Sequence, residues 1–169
     1  MTKPFVAILM GSDSDLPIMM STIEILKSFD ITVEVKVTSA HRTPAATHAY
    51  VTDAEARGCK VFICAAGLAA HLAGAVAGIT TRAVIGVPVD AGPLQGHDAL
   101  LSTVMMPAGV PVATVAIGKA GAKNAAYLAA QMLAVGCDEM AARVKADRQA
   151  NAEIVMAKDA ALQEKLKSL

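Results

Sequence analysis

Apolar positions fall along the chain in two rhythms, and the change between them marks its elements. Phe5-Val6-Ala7-Ile8-Leu9-Met10 is an unbroken apolar run, the pattern of a central parallel strand covered on both faces. Ile31 to Val37 alternates β-branched with polar residues and predicts a second strand. Lys60 to Ala66, Arg82 to Val89 and Val112 to Ile117 predict three more. Between the strands the period lengthens. Ile18, Met19, Thr22, Ile23 and Leu26 lie at helical spacing behind Pro17, a first-turn residue. A second helix runs from about Pro44 to Arg57 and stops at Gly58. A small-residue helix starts after Gly67, Asp98 caps a short helix through Met105, and Gly118 leads into a helix reaching about Val135. From Asp138 onward an Ala-rich helical stretch carries only a sparse apolar stripe, Met140, Val144, Ile154, Val155, Leu162 and Leu166.

Strands alternating with helices predict an α/β fold, a doubly wound five-stranded parallel sheet of order 2-1-3-4-5 in a flavodoxin-like three-layer sandwich. The expected organisation is one α/β domain over residues 1–169, with residues 137–169 a helical arm for subunit packing. Composition adds an assembly. Hydrophobic residues make up 54% of the chain but aromatics only 3%, so the apolar excess is small and aliphatic and is more easily hidden in a homo-oligomer.

Charge removes other classes. Fifteen basic and fifteen acidic side chains cancel, leaving no general field for nucleic acid or an anionic membrane, so any anion must be caught locally. Two charge-free stretches, Val61 to Thr81 and Ala99 to Ile117, are interrupted by Gly, His or Pro and read as buried strands with their turns, not membrane spans. Cys59, Cys64 and Cys137 have no CxxC spacing and read as reduced, mostly buried thiols. With no room for a signal peptide before the first strand, the expected location is cytoplasmic.

The densest chemistry lies in the turn Ser39-Ala40-His41-Arg42-Thr43-Pro44, between strand two and its helix. Such turns sit at the carboxyl ends of parallel strands, where ligands bind. Arg42 offers two parallel charge-assisted bonds to a phosphate, Ser39 one more, and a histidine such as His41 can give or take a proton near neutrality. A solvated loop with a helix cap is the plain alternative. Gly11-Ser12-Asp13-Ser14-Asp15 likewise reads either as a helix cap or as an anion site whose carboxylate binds sugar hydroxyls. Its single glycine excludes a GxGxxG dinucleotide fingerprint. Ala65 to Gly74 is a strand end and glycine turn whose tiny side chains admit a flat ligand or a close helix. His71 in that turn is either a satisfied structural histidine or part of the site on the edge it shares with His41. His48 reads as a helix-surface residue, His97 as part of a Gly/Pro loop that suits a lid or an oligomer contact, and Lys119 either as a solvated helix-start lysine or as a charge that helps neutralise a substrate. Residues alone therefore lead to a phosphate-bearing small-molecule site with a histidine acid/base.

Five segments in register, Met10-Gly11-Ser12-Asp13-Ser14-Asp15, Ser39 to Pro44, Ala69-Ala70-His71-Leu72, Ile85-Gly86-Val87-Pro88-Val89 and Gly118 to Ala126, resemble the bacterial 5-(carboxyamino)imidazole ribonucleotide mutases of purine biosynthesis. The likeness spans about Val6 to Leu133. It implies a homo-octamer that uses no metal, ATP or other cofactor and moves a carboxylate from the exocyclic nitrogen of an aminoimidazole ribonucleotide to ring carbon 4. Carbon dioxide is the intermediate. By position, Ser12, Ser39 and Arg42 would bind the 5′-phosphate, Asp15 the ribose hydroxyls, and His41 would shuttle the proton. Gly67, Leu68, Ala69 and Ala70 would bring backbone to the base and carboxylate, with His71 supporting them. The family's usual Gly-Gly-Ala-Ala-His-Leu-Pro-Gly is here Gly67-Leu68-Ala69-Ala70-His71-Leu72-Ala73-Gly74, and its Val-Gln-Met-Pro is Val104-Met105-Met106-Pro107. Leu68 either points away or narrows the pocket. The related carboxylases, which fix free carbon dioxide onto aminoimidazole ribonucleotide, commonly carry lysine after the catalytic histidine and differ at Ala-Ala-His-Leu; Arg42 and His71 favour the mutase. A non-catalytic nucleotide-binding module on the same fold is the alternative from another class.

Overall fold

A computed structural model of the protein describes residues 4–167. Residues up to Ala130 form one compact unit and those from Gln131 a second. The first is built on a five-stranded sheet of order β2-β1-β3-β4-β5, all pairs parallel, as the strand and helix rhythm predicts. Its strands are β1 (Phe5–Met10), β2 (Thr32–Val37), β3 (Cys59–Gly67), β4 (Ala83–Val89) and β5 (Ala113–Thr114). The helices are α1 (Leu16–Ser28), α2 (Pro44–Ala56), α3 (Leu72–Ala77), α4 (His97–Val104) and α5 (Gly118–Ala134), the last ending in the second unit, where α6 (Asp138–Lys167) follows.

Strand position explains strand composition. β1 is central and every residue of it is buried, so both of its faces are apolar. β2 is an edge, and Val35 and Val37 remain exposed among its polar residues. Phe5, Ala7, Leu9, Phe62 and Cys64 pack on one face with Val51 and Ala54 of α2 and Leu72, Ala73 and Val76 of α3. Val6, Ile8 and Met10 alternate to the opposite face. α1 and α5 are tied together by a buried bond from the Thr22 hydroxyl to the Ala122 carbonyl, 2.7 Å. Cys59 and Cys64 are buried, and burial pushes the Cys59 thiol up to about 11. Cys137 is exposed.

Two elements differ from the sequence reading. The fifth strand, expected over Val112 to Ile117, pairs with β4 only at Ala113 and Thr114. Pro111 precedes it, among the described residues no strand lies beyond it, and Gly118 takes left-handed backbone, φ 71°, so the chain turns off the sheet edge early. The short helix begins at His97, one residue before Asp98, because its N-cap is Gly96 in left-handed conformation; Asp98 lies inside the first turn.

Small residues are required where backbones meet. A Cβ on Gly121 would lie 1.6 Å from the Ala116 carbonyl oxygen and 2.6 Å from its carbon, whereas one on Gly74 would meet the flexible Met106 Sδ at 3.2 Å. Gly121→Ala is therefore expected to destabilise by about 3 kcal/mol, lowering Tm by roughly 6–12 °C, while Gly74→Ala stays within about 1 kcal/mol. Thermal melts of the two variants beside the native protein check the contrast.

Candidate active site

Ladder hydrogen bonds bring three turns to one point. Met10 pairs with Val37 on one side and Ala65 on the other, so β1 and β2 end in step while β3 runs two residues further, to Gly67. The pairing continues one residue further, from the Thr38 N–H to the Met10 carbonyl, 2.9 Å, and from the Gly11 N–H to the Ala65 carbonyl, 3.0 Å. The turns that leave these ends enclose a cleft of about 500 Å³, within the range of small-molecule sites.

The first turn contributes Gly11, Ser12, Ser14 and Asp15. A single 3-10 turn, Asp13–Asp15, starts here with a reciprocal cap: Ser12 Oγ accepts from the Ser14 N–H, and Asp15 Oδ2 accepts from the Ser12 N–H at 3.1 Å. The Ser14 hydroxyl donates to Ser12 Oγ at 2.8 Å. Asp15 is only 5% exposed, and burial raises its pKa more than the Ser12 N–H bond lowers it, with the neighbouring Asp13 charge adding to the rise. Cap and site are thus the same atoms.

The second turn contributes Ser39, Ala40, His41 and Arg42. It rests on three threonines. Thr38 and Thr47 hydroxyls meet at 2.7 Å in the core, Thr38 also meets Thr43 at 3.2 Å, and Thr43 Oγ1 accepts from the Ser39 N–H at 2.9 Å. Ser39 Oγ accepts from the Arg42 N–H at 3.1 Å, closing the turn. Sequence reasoning missed this threonine ladder. The signal was present as Thr38, Thr43 and Thr47, the last two at helical spacing, but hydroxyls beside a helix start read as solvated until burial is known.

The third turn contributes Gly67, Leu68, Ala69, His71 and Leu72, and Ala91 joins from the loop after β4. His71 Nδ1 lies 2.8 Å from His41 Nε2, with the rings edge to face at 81°. One shared proton satisfies that contact: whichever nitrogen carries it donates to the other, and His41 keeps Nδ1 as its second ring nitrogen. Leu68 has left-handed backbone, φ 55°, half-exposed, its side chain lying toward Gly92. That conformation costs a branched side chain about 1–2 kcal/mol relative to glycine. Ala70 stands apart from the other expected binding residues. It is 2% exposed, its N–H donates to the Leu68 carbonyl, its carbonyl accepts from Thr103, and it does not line the cleft.

The remaining histidines and Lys119 lie elsewhere. His48 is exposed on α2, Lys119 is exposed at the start of α5, and His97 is paired through Nδ1 with the Leu94 carbonyl, 3.0 Å. Among the described residues no helix is long and apolar enough to cross a membrane.

A parallel doubly wound sheet that gathers hydroxyls, a guanidinium, a buried carboxylate and a histidine pair at its strand ends has the arrangement of a small-molecule α/β protein. A family profile described as AIR carboxylase matches residues 5–154. The N5-carboxyaminoimidazole ribonucleotide mutase of Mycobacterium tuberculosis is 53% identical over 161 residues, 95% of this chain and 91% of the relative. The enzyme of the same name from Thermotoga maritima is 54% identical over 142 residues, 84% and 82% of the two chains. A crystal structure of Treponema denticola PurE superposes with a TM-score of 0.84 at 32% identity, covering 94% of this chain and 98% of that one. The chain belongs to the AIR carboxylase family.

Because Asp15 binds its proton more tightly folded than unfolded, its charged form opposes folding above the raised pKa, and that cost vanishes as pH falls through it. Asp15→Asn keeps an oxygen for the Ser12 N–H while removing the charge. It is expected to raise Tm near pH 7, with the gain shrinking toward about pH 4, as read from thermal melts across that range.

Proposed function

We propose that the chain is a mutase converting 5-carboxyaminoimidazole ribonucleotide to 4-carboxy-5-aminoimidazole ribonucleotide. The observation that carries this reading is the His41–His71 hydrogen bond in a cleft that Ser12, Ser39 and Arg42 also line. Relatives about half identical to the chain and bearing the mutase name support it.

The 5′-phosphate sits against Arg42 with the hydroxyls of Ser12 and Ser39, the guanidinium giving two parallel bonds and the hydroxyls one each. Asp15 accepts from the ribose hydroxyls. Gly67, Leu68 and Ala69 present backbone to the base, while Ala70 anchors that turn from below. The carbamate N–C bond then breaks, releasing carbon dioxide as the exocyclic nitrogen takes up one proton. Ring carbon 4 attacks the carbon dioxide, forming the new C–C bond, and His41 removes the carbon 4 proton to restore aromaticity. One proton is taken up and one released, so the residue that shuttles it is regenerated in each cycle. His71 holds the His41 ring through Nε2 and leaves Nδ1 for the substrate.

The assembly reading is a cytoplasmic homo-oligomer, an octamer, with the C-terminal helix as a packing arm. Supporting it are a 30-residue α6 with no buried residue and with Ile154, Val155, Met156, Leu162 and Leu166 all exposed. On the first unit, Leu101 and Met105 are also exposed, at 60% and 78%.

Turnover of carboxyaminoimidazole ribonucleotide at low bicarbonate, with binding measured alongside, tests the reading. The native protein is expected to isomerise it without added bicarbonate, and His41→Asn to bind but turn over about 10²–10⁴-fold more slowly. Product formed only from aminoimidazole ribonucleotide and high bicarbonate would place the chain with the carboxylases, and undiminished function in His41→Asn with a binding module. Arg42→Ala is expected to raise KM by about 10–100-fold with a much smaller change in kcat, from steady-state kinetics, since a bond to a charged group contributes about 1.5–3 kcal/mol.

A further inference from the structure

The turn after β3 and the loop after β4 meet at two successive positions with reciprocal shapes. A Cβ on Gly67 would lie 2.5 Å from the Ala91 Cβ and 3.1 Å from the Val89 carbonyl oxygen. One residue on, the sizes exchange: a Cβ on Gly92 would lie 2.4 Å from Leu68 Cδ2 and 3.8 Å from its Cγ. The seat that Leu68 fills is therefore the space a side chain at position 92 would need. It is bounded on another side by Asp98, whose Oδ2 is 4.0 Å from the same point.

The rest of the loop is held at its base. Gln95 and Gly96 take left-handed backbone in succession, and a Cβ on Gly96 would lie 2.6 Å from Ile117 Cγ2 and 3.4 Å from the Asp90 Cα. Between these pinned ends Leu94 is 60% exposed. Leu68 and Ala91 both line the cleft, so whatever fixes the loop against the β3 turn also fixes the position of that wall. Leu68 keeps its seat despite a backbone conformation that glycine would adopt freely.

We propose that Leu68 is a positioning residue: its side chain, seated on Gly92, clasps the Ala91–Gly96 loop to the β3 turn and sets the cleft wall that Ala91 forms. The kinetic part of this role rests on the mutase reading. The clasp itself does not depend on which ligand the cleft takes.

The test compares native protein with Leu68→Ala, Leu68→Met, Gly92→Ala and the double variant Leu68→Ala/Gly92→Ala. Leu68→Ala keeps the backbone demand of a β-carbon and removes only the clasp. Gly92→Ala puts a methyl group into the seat and drives Leu68 out. Amide hydrogen exchange of the peptide spanning 91–96 is expected to quicken about tenfold in both single variants, with Leu68→Met staying close to native. In the double variant the second change adds little, because the seat is already empty. In turnover, Leu68→Ala raises KM several-fold more than it lowers kcat. Unchanged exchange in Leu68→Ala, or effects of the two changes that simply add, would overturn the clasp. If the native protein fails to turn over the mutase substrate while loop exchange still depends on Leu68, the functional reading falls and the clasp stands.

Discussion

The site depends on the register of three neighbouring parallel strands. β1 is paired on both sides, and its last ladder bonds, made by Gly11 and Thr38, hold the first residues of two turns to their neighbours. A slip by one residue in either pairing would send the strand's side chains to opposite faces and carry its turn about 3.3 Å along the sheet. The apolar run in β1 forbids that slip, since every one of its residues is buried. Core packing thereby fixes the height at which serines, imidazoles and guanidinium are presented, without any of them contributing to the core.

Most of this was legible in the chain because it rests on periodicity. The five strands and their order follow from apolar runs separated by helical spacing, and the polar turns follow from where those runs stop. The short fifth strand was not legible: Val112 to Ile117 has strand composition throughout, and only the absence of a further partner beyond the edge shows why pairing stops at Thr114. The start of α4 was misplaced for a related reason. Asp98 is a good cap by type, but Gln95 and Gly96 adopt left-handed backbone, and a side chain at Gly96 would run into Ile117 and Asp90, residues distant in sequence from each other.

Within the site, residue types were readable and partnerships were not. Ser12, Asp15, Ser39, His41, Arg42 and His71 all line one cleft, but nothing in their spacing says that the two imidazoles meet at hydrogen-bond distance. Nor does it say that Ala70 uses its N–H and carbonyl internally while Gly67, Leu68 and Ala69 face the cavity. In the first turn the helix cap and the cleft lining fall on the same residues. Asp15 caps the turn with one oxygen while its carboxylate borders the cleft, and burial of that carboxylate is the cost of using one residue for both.

The histidine pair illustrates how the sheet makes a contact that no single element contains. β2 and β3 are separated by β1, so the turns bearing His41 and His71 leave strands about 10 Å apart, twice the interstrand spacing. Their rings nevertheless meet at 2.8 Å, across the end of β1 and beside the turn that carries Ser12. Each ring is carried by a turn with its own internal support. For His41 that support is the Thr38–Thr43–Thr47 ladder, and for His71 it is the buried Ala70 and the Leu72 start of α3. Two rigid arms reaching from opposite sides can hold an imidazole pair in register over a ligand, whereas two histidines on one flexible turn would lose that register with each rotation of the backbone. The meeting of the two imidazoles therefore depends on the same strand register that builds the core.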